Sequence, residues 1–198
     1  MPSRTDMLRA IRDEIIADKT LPLYGERIAN KVFPVIGEGN HSAKIMFVGE
    51  APGKNEAATG KPFCGASGRI LDELFASIQM SRKDAYVTNV VKDRPPGNRD
   101  PFPEEIKAYA PFLDRQIVII QPEVIATLGR FSMTYIMDKF DLGTELKPIS
   151  VIHGRLFGAE APYGKVQIIP LYHPAAALYA GTLLEALKKD FQILKRFI

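Results

Sequence analysis

The sequence predicts an α/β fold, a three-layer αβα sandwich around a central, mostly parallel four-stranded sheet. Short apolar runs at residues 45–48, 85–91, 124–128 and 166–171 have the length and composition of strands buried on both faces. Segments with apolar residues at three- and four-residue spacing lie between them, as the crossovers of a parallel sheet require. Glu50, Asn89 and His173 each fall at or just past the end of a different run. Strand polarity alone therefore gathers three polar side chains at one edge of the sheet, where open α/β folds bind ligands.

Composition sets the bounds. A chain of 198 residues, 46% hydrophobic and 25% charged, fills one core, so residues 1–198 are expected to form a single domain. The formal charge of +3 does not announce a nucleic-acid partner, and any anion site must come from local clustering. Cys64 stands alone, which excludes an internal disulfide and a multi-cysteine metal site. With no apolar stretch of membrane-spanning length and no signal-like start, a cytoplasmic monomer away from membranes is expected.

The elements follow in order. Met7, Leu8, Ile11, Ile15 and Ile16 predict an amphipathic helix over 5–18, capped by Ser3 or Thr5. Residues 19–43 are punctuated by Pro and Gly without a period, which predicts an ordered loop. The first strand runs into Gly49, Glu50, the Pro52-Gly53 turn, Glu56, and a loop carrying Lys61, Phe63 and Cys64, before a helix over 68–79. The second strand ends at Asn89; Pro95, Pro96 and Gly97 then forbid regular structure until a long helix begins after Phe102-Pro103. The third strand is followed by a helix over 130–140. Residues 141–165 read as loop, with a hairpin around 151–157. The fourth strand closes at His173-Pro174, and Leu183, Leu184, Leu187, Phe191 and Leu194 predict a terminal helix.

A strand, Gly-rich turn and helix also suggest a phosphate-binding loop. Gly53-Lys54 is followed by Asn55 instead of Ser or Thr, its glycines are too close, and no G-x-G-x-x-G occurs, so that class is set aside.

Three stretches, GEAPGKNEAATGKPFCGASGRIL from Gly49, TNVVKDRPPGNRDPFPEEI at 88–106 and LYHPAAAL at 171–178, resemble the loop signatures of the family 4 uracil-DNA glycosylases, in order and at fitting separations. The resemblance implies hydrolysis of the bond between uracil and deoxyribose in DNA after base flipping, with uracil-containing DNA as partner. It implies Glu50 as the catalytic carboxylate and His173 as a donor to the departing base. Asn89 would read the base edge, Phe63 would stack on it, and the backbone at Glu50 and Ala51 would meet it. Glu56 holds a water, walls off a ring methyl, or is simply solvated. Asn89 could instead be a turn former, His173 a structural histidine and Phe63 a core residue. Lys61, Arg69, Lys92, Arg94 and Arg99 are candidate phosphate contacts. Pro174 and Ala175 would let a loop approach the backbone, and Leu178 or Ala177 would fill the vacated stack.

One superfamily branch bonds covalently through a histidine in the loop after the second strand. The segment DRPPGNRDPFP has none, which favours turnover. The four cysteines that hold an iron-sulfur cluster in the resembled family are replaced by Asp18, Leu21, Asp93 and Tyr109, so no cofactor is expected. Tyr109 packing on Leu21, with a charge pair from Asp18 or Asp93, is the expected substitute. The rival reading is a nucleic-acid binding module of the same fold that has lost activity along with the cluster.

Overall fold

A computed structural model describes residues 2–198. Among them, six strands form one sheet in the order β1-β3-β2-β4-β6-β5. Its centre is the predicted parallel set: β2 (Ile45–Gly49), β3 (Tyr86–Asn89), β4 (Val124–Leu128) and β6 (Gly164–Leu171). Two antiparallel edge strands extend it, β1 (Glu38–Gly39) beside β3 and β5 (Phe157–Ala161) beside β6. The expected four strands thus become six. The hairpin lies later than the sequence suggested, its two strands joined through Pro162 and Tyr163, while Ile149–Ile152 is a helical turn, α7.

Helices α1 (Arg4–Ala17), α5 (Pro103–Ile120) and α6 (Arg130–Lys139) cover one face, and α4 (Ala66–Ser77) and α8 (Gly181–Phe191) the other. Alternation along β2 explains the two cores: Met46 and Val48 point into the first, Ile45 and Phe47 into the second. In the second core the Phe47 ring lies 5.0 Å from that of Phe75 and 5.7 Å from that of Phe191, tying strand, α4 and α8 together. Ser3 and Asp6 form a capping box on α1. Two short helices, α2 (Tyr24–Ala29) and α3 (Lys54–Thr59), lie in segments whose lengths hide any period. Among the described residues no helix is long and apolar enough to cross a membrane.

Register places the site. Gly49 pairs with Asn89 across β2 and β3, and Leu128 with Leu171 across β4 and β6, so the parallel strands end nearly level. Pairing continues past the strand ends: Val90 N–H donates to the Gly49 carbonyl and Val91 N–H to that of Glu50, each at 3.0 Å. Those bonds lock the loop carrying Glu50 to the loop that follows Asn89.

Candidate active site

At this edge a cavity of about 320 Å³ is lined by Glu50, Ala51, Glu56, Phe63, Asn89 and His173, with Pro52, Gly53, Ser67, Pro95, Asn98, Arg99 and Ala175 completing the wall. All six residues expected to meet the base or sugar are therefore brought together.

Each is held by a specific local device. Glu50 follows the last residue of β2 and is partly buried; burial, reinforced by the negative charge of Asp100 and opposed by Arg130, pushes its carboxyl up to about 7. Asp100 and Arg130, which the sequence reading missed, form an exposed ion pair beside it. His173 caps the 3₁₀ turn Pro174–Leu178, and its Nδ1 accepts the Ala175 N–H at 3.1 Å. Burial holds the ring down to about 4, against the opposing pull of Glu56, so it is neutral near pH 7. A neutral ring that accepts at Nδ1 carries its proton on Nε2, which makes it a hydrogen-bond donor there. Gly129 adopts φ +96° where a Cβ would press on the His173 Cβ at 3.1 Å, so the β4 end is shaped around the imidazole.

Asn89 is 2% exposed, and its Oδ1 is buried with no hydrogen-bond partner in the protein. An acceptor left unsatisfied costs about 1–3 kcal/mol, which a ligand N–H would recover. A Cβ on Gly49 would collide with that oxygen and would lie 2.7 Å from the Phe63 ring, so only glycine leaves both side chains where they stand. Phe63 is 5% exposed, belongs to the second core, and also faces the cavity with its ring centroid 5.7 Å from that of His173. It is a core residue that also presents its ring to the cavity. Its φ of +48° is a left-handed conformation costing about 1–3 kcal/mol for a bulky residue, the kind of strain that accumulates at ligand sites.

Glu56 is not solvated. At 8% exposed, its Oε1 accepts from the Cys64 N–H at 2.9 Å and the Gly65 N–H at 2.8 Å, tying α3 to the residues that lead into α4 and drawing residues 53–65 closed.

The basic candidates divide. Lys61 and Arg69 are exposed and without ion-pair partners among the described residues. Arg94 is partly exposed and bonded to Asn98 Oδ1 at 2.6 Å. Arg99 is held by both Glu105 oxygens, at 2.6 and 2.9 Å, and lies 3.7 Å over the Phe102 ring, so its charge braces the proline-rich loop. Lys92 is corrected outright. It is fully buried, its ammonium lies between the sheet and α5, and no phosphate can reach it. Pro174 is buried, Ala175 lines the cavity, Leu178 is 43% exposed, and Ala177 at 9% is too enclosed to enter a base stack.

The positions of the expected cluster cysteines hold a different construction. Asp93 accepts from Arg27 Nη1 at 3.0 Å and from the Tyr109 hydroxyl at 2.6 Å, all three residues being buried. Arg27 Nη2 also donates to the Ile15 carbonyl at 3.0 Å. Leu21 is in the first core with Tyr109, and Asp18 is partly exposed, bonded to Thr20. Of the two charges anticipated, Asp93 is the one used, and its partner is Arg27. One guanidinium, one carboxylate it neutralises, a phenol and an alkyl group offer no thiolate to iron. This set does not fit an iron-sulfur cluster.

Comparison with known proteins decides the family. Residues 36–195 match the model of the Uracil DNA glycosylase superfamily. The chain belongs to that superfamily. It is 48% identical to a protein named Type-4 uracil-DNA glycosylase from Archaeoglobus fulgidus, over 79% of this chain and 77% of that one. The relative of the same name from Sulfurisphaera tokodaii is 43% identical over 94% of this chain and 83% of its own length. That from Thermotoga maritima is 36% identical over 100% and 98%. The matched residues include all three loops that meet at the cavity.

Proposed function

We propose that this chain is a single-domain, monomeric uracil-DNA glycosylase, working without a metal cluster, which hydrolyses the N-glycosidic bond of a flipped-out deoxyuridine and leaves an abasic site. The observation that carries this reading is Asn89, whose Oδ1 has no partner in the protein, lining one cavity with a carboxylate and a neutral imidazole donor. Uracil presents an N3–H donor beside the O4 acceptor, which complement the Oδ1 and Nδ2 of one amide; cytosine presents the reverse pattern. Phe63 supplies a face for the ring.

In the reaction the bond between C1′ and N1 breaks with its electron pair leaving on the base. Positive charge grows on the sugar and negative charge on the uracil. Glu50, ionised, stabilises the sugar cation and takes a proton from the water whose oxygen bonds to C1′. His173 donates from Nε2 to the developing oxyanion without needing to be protonated itself, an arrangement that a ring held neutral by burial can sustain at pH 7. Leu178 fills the gap left in the stack, Pro174 and Ala175 let that loop approach the backbone closely, and Lys61, Arg69 and Arg94 contact phosphates. The backbone at Ala51 meets the base edge, and Glu56 holds the loop in place.

A gel assay of single- and double-stranded oligonucleotides carrying uracil, thymine or cytosine tests this. Alkali-labile cleavage confined to uracil is expected. Tight binding of uracil DNA by the wild type without any base release would instead mark a binding module. Iron analysis and the visible spectrum of purified protein test the absence of a cluster, and stoichiometric iron would overturn that part.

A further inference from the structure

A lysine buried completely, with no carboxylate beside it, is uncommon enough to demand a reason. Lys92 has none of its surface exposed, and burial pushes its ammonium well below the ordinary lysine range. Its Nζ lies 2.6 Å from the main-chain carbonyl of Asn89, 2.7 Å from Gln116 Oε1 and 2.8 Å from Thr88 Oγ1.

Hydrogen-bond accounting fixes what each partner does. The Ile36 carbonyl can only accept, and it takes the Thr88 hydroxyl proton at 2.6 Å and a Gln116 Nε2 proton at 2.9 Å. Gln116 therefore turns its oxygen to Lys92, and Thr88 has no proton left to offer. All three short contacts must be donations from nitrogen, and only an ammonium has three protons to give. The one partner of these three that belongs to the pocket is Asn89.

We propose that Lys92 is a positioning residue for base recognition: clamped by Thr88 and Gln116, it anchors the Asn89 carbonyl from between the sheet and α5 and so fixes the backbone that carries the cavity-lining side chain. This rests on the reading of Asn89 as the residue that recognises uracil. A held carbonyl fixes the Asn89 backbone, and with it the point and direction from which the side chain reaches the base, which is what a recognition group held to within about 0.5 Å requires. The sequence hides this role, because a lysine after a strand looks like a surface charge.

The test is inhibition by free uracil, which reports the pocket without chemistry, alongside kcat and KM on uracil DNA. Lys92→Met keeps the length of the stem and removes the donors; uracil inhibition and kcat/KM are expected to weaken by about tenfold to a hundredfold, as for removal of one charge-assisted hydrogen bond. Thr88→Val, a milder and isosteric change, is expected to move both in the same direction and serves if Lys92→Met does not fold. Tyr86→Phe removes another member of the same buried network, which touches Gln116 at 3.2 Å, and is expected to lower stability while leaving uracil inhibition unchanged. Asn89→Ala runs in parallel. Uracil inhibition abolished in Asn89→Ala but kept in Lys92→Met and Thr88→Val overturns the positioning role alone; inhibition kept in Asn89→Ala overturns it together with the reading of Asn89.

Discussion

Glu50 sits where a charge is costly, between the end of a buried strand and the Asp100–Arg130 pair, and its proton affinity follows. Because kcat/KM reports the free enzyme, the acid limb of its pH profile should rise through about pH 7, where Glu50 loses its proton. Asp100→Asn removes a negative neighbour and should move that limb to lower pH, whereas Arg130→Gln removes a positive one and should move it higher; shifts of the same sign would contradict the assignment. Stability gives an independent check. A carboxyl raised from 4.5 when folded binds its proton more tightly in the native state, so the cost of ionising it is absent below about pH 4.5 and complete above about pH 7. Glu50→Gln should therefore raise the melting temperature at pH 8 and leave it nearly unchanged at pH 4. Gly49→Ala should abolish uracil inhibition, since its methyl group would fall on Asn89 Oδ1 and the Phe63 ring. At this scale the sequence was informative wherever a residue's place followed from strand polarity, as for Glu50, Asn89 and His173. It was silent wherever function depended on the direction a side chain takes, as for Lys92, Arg99 and Glu56.

Elements are joined by small polar devices as much as by apolar packing. Arg27 on α2, Asp93 in the loop after β3 and Tyr109 on α5 meet in one buried knot that also holds the last turn of α1 through the Ile15 carbonyl. Burial raises the Asp93 carboxyl while Tyr109 and Arg27 draw it down. Asp93→Ala would strand the guanidinium, at a cost of about 3–5 kcal/mol. Denaturant unfolding should show that drop in stability, with base recognition by the remaining folded protein unchanged. The central strands were legible as short apolar runs buried on both faces, and the long helices as a three- and four-residue period. The two-residue β1 and the six-residue α2 and α3 are too short to show one, and β5, though it alternates in burial, is built of Gly, Ala and Glu after Phe157, poor strand formers that its partner β6 holds extended.

Across the whole molecule, a net charge of +3 leaves the proposed DNA affinity to local cations, Lys61 and Arg69 among them, on the segment that also carries Phe63 and Ser67 of the pocket. Replacing Lys61 and Arg69 together with alanine should weaken binding to any sequence and lower the slope of log K against log salt by about 0.9 for each phosphate no longer neutralised on duplex DNA, with preference for uracil unaffected. In the proposed function one pocket separates recognition from bond cleavage, with Asn89 performing the first and Glu50 the second. Single-turnover base release and equilibrium binding to uracil DNA, measured side by side for wild type and Glu50→Gln, test it most directly. Release slowed by about a hundredfold or more, as for removal of a catalytic acid-base group, with binding retained, is the expected result. Undiminished release by Glu50→Gln would contradict it.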